Sequence, residues 1–69
     1  MISDTFLLTD NQKAILQALA NGESQKEYAA RTFRSYSTVK HTLQLVLEEL
    51  DAKNVLQAVT IALRKGLIQ

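Results

Sequence analysis

The chain contains no cysteine, so no disulfide, thiolate metal site or cysteine nucleophile can form. It has no proline and only two glycines, Gly22 and Gly66, so long helices are unimpeded and their ends must be marked by caps. His41 is the single histidine, which leaves no second imidazole for a zinc site or a charge relay. The longest aliphatic or aromatic runs, such as Phe6-Leu7-Leu8, last three residues, far short of a membrane span. Met1-Ile2-Ser3-Asp4 lacks the basic start and apolar run of a signal peptide. With 69 residues there is room for one small domain, not for a multidomain enzyme or a large internal cavity. A hydrophobic content of 46% and a charged content of 22% are those of a globular chain rather than a disordered one. The expectation is a cytoplasmic domain with no metal, cofactor, small-molecule ligand or membrane partner.

The net charge is only +1, but it is unevenly spread. From Ser24 to Leu47, Lys26, Arg31, Arg34 and Lys40 face Glu27 alone, while the remainder of the chain is slightly acidic. A basic middle in such a chain hints at an anionic partner. Glu48, Glu49 and Asp51 read as a solvated charge run. With no nucleophile, base and oxyanion constellation anywhere, the chain is not expected to be an enzyme.

Four helix starts can be read. Thr9-Asp10-Asn11-Gln12 and Ser24-Gln25-Lys26-Glu27 are capping boxes, with a hydroxyl followed three residues later by Gln or Glu. Ser35-Tyr36-Ser37-Thr38 is a weaker start, and Asn54-Val55-Leu56-Gln57 is the fourth. Ile15, Leu16, Leu19 and Ala20 recur at helical spacing before Gly22. Val39, Leu43, Val46, Leu47 and Leu50 form a longer stripe. No segment alternates long enough to make a strand. The expected fold is all-α, a compact four-helix bundle over residues 8–69 behind a tail at 1–7.

The second and third helices are separated by roughly three residues around Phe33-Arg34, a joint tight enough for a helix-turn-helix. Phe33 is expected to plug the space beneath that turn. Burial of the Val39–Leu50 stripe leaves Ser37, Lys40, His41 and Gln44 beside the opposite face, near the amino end where groove readers sit.

From Leu8 to Ile68 the chain resembles the LuxR-type (GerE-like) helix-turn-helix domain. The likeness is carried by Leu8-Thr9, Ile15-Leu16, Leu19-Ala20, Gly22, Ser24-Gln25-Lys26-Glu27, Ala29, Ser35 and Thr38-Val39-Lys40, then Leu50, Asn54, Ala58-Val59, Ala62 and Gly66-Leu67-Ile68. The resemblance implies a bacterial transcription regulator that binds double-stranded DNA as a homodimer, associated with the nucleoid. It implies base contacts from Lys40, His41 and Gln44, joined by Ser37, and phosphate contacts from Lys26 and Thr38, with Ser35, Arg34, Arg31 and Tyr36 flanking. With so little chain ahead of the motif, a stand-alone member of the family is expected. Four positions depart from the family pattern. Asn11 and Gln12 replace an Arg and Glu, so the usual charged contact between helices is expected to be lost. Thr42 stands where a histidine is usual, and Val55 where an arginine follows the helix-four asparagine.

On the fourth helix, Val55, Leu56, Ala58, Val59, Ile61, Ala62 and Leu63 spread over roughly 220° of circumference, about twice what core packing requires. Val55, Leu56, Val59 and Leu63 are therefore the expected dimer interface, matching the twofold contact that the resemblance implies for this helix. Two other uses of the surface are open: a tail over Met1–Leu8 folding back through Ile2, Phe6 and Leu7, or a protein partner, which would make the domain a protein-interaction module.

Overall fold

A computed structural model describes residues 8–69. The tail at 1–7, and with it the fold-back of Ile2, Phe6 and Leu7 over helix four, lies outside the described residues. Four helices follow in order, α1 over Asp10–Ala20, α2 over Gln25–Arg31, α3 over Tyr36–Leu50 and α4 over Val55–Arg64. No strand occurs among the described residues. The all-α expectation holds.

Each start is set by the predicted cap. In the Thr9 box the Gln12 amide donates to the Thr9 hydroxyl at 3.1 Å, and the Thr9 amide donates to Gln12 Oε1 at 2.9 Å. Ser24 and Glu27 repeat the exchange at 3.0 and 2.8 Å. Ser35 caps α3 one way only: the Thr38 amide donates to its Oγ at 3.0 Å, and the Ser35 hydroxyl then donates to Thr38 Oγ1 at 2.7 Å. Thr38 has no carboxylate or amide to return, which is why this start looked weaker in sequence. Asn54 caps α4 by accepting the Gln57 amide at 2.8 Å.

The four ends share one geometry. A residue with positive φ stands just beyond each helix: Gly22, Phe33, Asp51 and Gly66. The next amide turns back to a carbonyl of the last turn, Glu23 to Ala18, Arg34 to Ala29, Ala52 to Leu47 and Leu67 to Ala62, at 2.9 to 3.0 Å. This is the Schellman closure, in which the residue after the left-handed one carries the apolar contact back onto the helix.

That geometry overturns one expectation. Phe33, φ 58°, is itself the left-handed residue, and its side chain is 96% exposed instead of plugging the turn. The next residue, Arg34, is exposed as well, and its Nη1 donates to Asn11 Oδ1 on α1. A polar tie from α1 to the turn is thus made through Asn11, one of the residues that depart from the family pattern. Asn11 is uncharged and Arg34 lies in the turn, so this tie is not the charged contact between helices whose loss is expected.

Ile15, Leu16, Val39, Val46, Ala58 and Ala62 are fully buried, and Tyr28, Ala29, Leu43, Leu50 and Ile68 nearly so. Ala58 and Ala62 allow α4 to lie close against α1 and α3. Leu47 is half-buried, at the edge of the α3 stripe. The carboxy end is clasped to α1: the Gln69 amide donates to Gln17 Oε1 at 2.7 Å, and Gln17 Nε2 donates back to the Gln69 carbonyl at 3.2 Å.

Candidate nucleic-acid interface

The rotation of α3 about its axis is fixed by what it buries. Val39, Leu43, Val46 and Leu50 point into the core, so Ser37, Lys40, His41 and Gln44, one to two turns along the other side, are all exposed. They form one strip on the first half of the helix. Gln44 Nε2 donates to Glu48 Oε2 at 3.4 Å, a long bond to the next turn that leaves its amide adaptable. Thr42, at the position where a histidine is usual, is half-buried and turns its hydroxyl back to the Thr38 carbonyl at 3.0 Å. Thr42 therefore belongs to the helix wall and not to the strip.

The residues expected to flank the strip divide into two groups. Lys26 of α2 and Lys40 of α3 each bring their ammonium over the ring of Tyr36, at 5.5 and 5.2 Å from its centroid. This joins the first turn of α2 to the first turns of α3 across the helix-turn-helix joint. Ser35 and Thr38 lie at the same end, exposed but hydrogen-bonded to each other through the cap, with Ser37 Oγ 3.3 Å from Ser35 Oγ.

Arg31 and Arg34 have other partners. Arg31 Nε and Nη2 each donate to a carboxylate oxygen of Glu23 at 2.8 Å, a bidentate pair that holds the Glu23 carboxyl below the usual glutamate range and raises the guanidinium further. The same guanidinium lies 5.2 Å from the Tyr28 ring. Arg34 is tied to Asn11. Sequence reasoning grouped all four basic side chains; the fold gathers Lys26 and Lys40 at one end and gives the two arginines intramolecular partners. The Tyr36–Lys40 spacing, one helical turn, was readable in the sequence, but its reach to Lys26 depends on the turn.

On α4, the four residues expected at a dimer contact share one side. Val55 and Val59 are half-buried, Leu63 is 46% exposed and Leu56 is 76% exposed. Among the described residues no group of three or more His, Cys, Asp or Glu side chains is disposed to hold a metal ion, and no helix is long and apolar enough to cross a membrane.

A short bracing helix, a tight turn and a longer helix with a polar strip at its amino half define a helix-turn-helix domain. Residues 7–62 match the family described as bacterial regulatory proteins, luxR family, and the chain belongs to that family, which is one of regulators and not of enzymes. It is similar to the transcriptional regulatory protein DesR of Bacillus subtilis (strain 168), 33% identical over 66 residues that cover 96% of this chain and 33% of that protein. It is also 37% identical over 62 residues to the uncharacterized transcriptional regulatory protein YhcZ of the same organism, covering 90% of this chain and 29% of that one. The chain spans about a third of the length of these curated relatives.

Proposed function

We propose that this domain regulates transcription by binding double-stranded DNA, laying the first half of α3 in the major groove. The observation that carries the reading is the strip of Ser37, Lys40, His41 and Gln44, exposed on a helix whose other side is locked into the core. In a groove, Lys40 donates to guanine O6 or N7, Gln44 pairs with adenine N6 and N7, and Ser37 and His41 complete the base contacts. Lys26 and the Ser35–Thr38 end of α3 meet phosphates, with the free amides of that helix start contributing.

The domain acts as a homodimer through Val55, Leu56, Val59 and Leu63. Two copies of α3 then enter successive major grooves of an inverted repeat, with half-sites roughly 10 base pairs apart. The test is selection from a random duplex-DNA library at low salt. Enrichment of an inverted repeat with that spacing supports the reading, and no enrichment with no salt-sensitive retention overturns it.

A second reading is favoured by the exposure of Leu56 at 76%. In it the α4 face docks onto another protein, and the scaffold modulates a larger regulator instead of reading DNA. A failed selection would turn the search to whatever covers Leu56 and Leu63.

A further inference from the structure

Two cations lie over one aromatic ring at the head of the candidate interface. Tyr36 is the first residue of α3 and is 41% exposed. Lys40 reaches it from one turn further along α3, and Lys26 reaches it from α2, on the other side of the turn. Both ammoniums are therefore confined near one point, within about a Debye length of each other. Two like charges gathered this way repel, and the ring's negative face offsets part of that repulsion. The carboxylates close in sequence have other engagements: Glu27 accepts the Ser24 amide within its capping box, and Glu23 accepts both bonds from Arg31. An incoming polyanion is what would turn the pairing from a cost into a gain.

We propose that Tyr36 is a positioning residue for DNA. Its ring holds Lys26 and Lys40 together as one unit, so that the phosphate contact of α2 and the groove contact of α3 are made in concert. This rests on the DNA-binding reading above and adds to it a coupling that runs through a side chain itself neither cationic nor required to touch DNA. A long lysine that is already ordered loses less side-chain freedom on binding, so the ring acts by preorganisation. The phenol hydroxyl has no part in this, and only the aromatic face is needed.

The experiment is a titration of labelled duplex DNA with the full chain, followed by fluorescence anisotropy across a range of salt. One duplex has mixed sequence, and the other carries the sequence enriched in the selection. Tyr36→Leu is expected to weaken binding about fivefold, the scale of having to order two long side chains on binding, with a shallower salt dependence. Tyr36→Phe is expected to stay within about twofold of wild type, because the ring face remains. In a Lys26→Ala, Lys40→Ala background, Tyr36→Leu should cost nothing further. Wild-type affinity in Tyr36→Leu overturns the proposal. An undiminished loss in the lysine-free background also overturns it, because the ring would then be touching DNA itself. A Tyr36→Phe loss as large as that of Tyr36→Leu would transfer the role to the hydroxyl and overturn it too. Proton NMR of the free protein gives a readout that needs no DNA. The ε-methylenes of Lys26 and Lys40 should be shifted upfield by the ring and return to ordinary values in Tyr36→Leu, and unshifted wild-type signals would overturn the pairing. If the wild type retains no duplex at any salt while those shifts are present, the DNA reading fails, and the positioning role falls with it.

Discussion

Arg31 and Glu23 meet as a two-bond pair, Nε and Nη2 on opposite carboxylate oxygens at 2.8 Å, linking the last residue of α2 to the loop that precedes it. The hydrogen bonds from Arg31 pull the Glu23 carboxyl below its ordinary value. A carboxylate with a depressed folded-state pKa adds stability above its unfolded value and loses it as pH falls through the folded one. The raised Arg31 guanidinium stays charged throughout, so the acid limb belongs to Glu23. Urea midpoints of the wild type and Glu23→Gln should differ at neutral pH and converge as the medium is acidified through the carboxylate range. A difference that persists undiminished at low pH would remove the ion pair as its cause.

The same pair bears on DNA. A guanidinium already neutralised by a carboxylate attracts phosphate weakly, so Arg31→Gln should lower affinity less than Lys26→Ala does. Glu23→Gln, which frees Arg31, should raise affinity for every sequence alike. Anisotropy with a mixed-sequence duplex measures both, and a larger loss in Arg31→Gln than in Lys26→Ala would show that the arginine leaves Glu23 to bind.

Phe33 holds a left-handed backbone and exposes nearly all of its ring. For a residue with a Cβ that backbone costs roughly 1–2 kcal/mol, part of which glycine would return through its larger unfolded-state entropy. Phe33→Gly should therefore stabilise the domain by about 0.5–1 kcal/mol, a rise in Tm of about 4 °C for a chain of this size. A buried plug would behave oppositely, with Phe→Ala losses of about 3–5 kcal/mol. The sign of the change in thermal melting separates the two.

Phe33 also marks where the sequence stopped being legible. The caps at Thr9, Ser24, Ser35 and Asn54, and the stripe from Val39 to Leu50, are local patterns, readable because hydrogen bonds three residues apart and helical periodicity need no tertiary information. The strip of Ser37, Lys40, His41 and Gln44 follows from that stripe by subtraction. The turn leaves both Phe33 and Arg34 exposed because residue 33 takes the left-handed conformation, whereas an aromatic there argues for burial on composition alone. Asn11 meeting Arg34, and Lys26 meeting Tyr36, are products of helix crossing with no periodicity to announce them. Leu56 was legible as excess apolar surface, but not as a side chain left three-quarters exposed.

Lys40 and Lys26 should fail differently when truncated. Lys40, on the strip, is assigned to base edges, so Lys40→Ala should cost about 1–3 kcal/mol on the enriched sequence and little on a mixed one. Lys26, on α2, is assigned to phosphate, so Lys26→Ala should weaken both duplexes together and lower the salt slope by about one. Equal binding of the enriched sequence by the wild type and Lys40→Ala would contradict the groove assignment.

Leu56 gives the sharpest test of the dimer. Its side chain is exposed, so Leu56→Glu should leave the monomer fold intact, and any fall in Tm should follow protein concentration as the dimer is lost. In a twofold contact each substitution is counted twice, and burying one leucine is worth about 1.5–3 kcal/mol. Loss of both copies should then weaken self-association by at least about a hundredfold, with the added carboxylates repelling across the axis. Sedimentation velocity at tens of micromolar is expected to find a wild-type dimer and a Leu56→Glu monomer. The variant should also lose its preference for an inverted repeat over a single half-site, because the second α3 is no longer delivered to the adjacent groove. A wild-type monomer at that concentration would refute self-association through α4 and leave the Leu56–Leu63 face to a different protein partner.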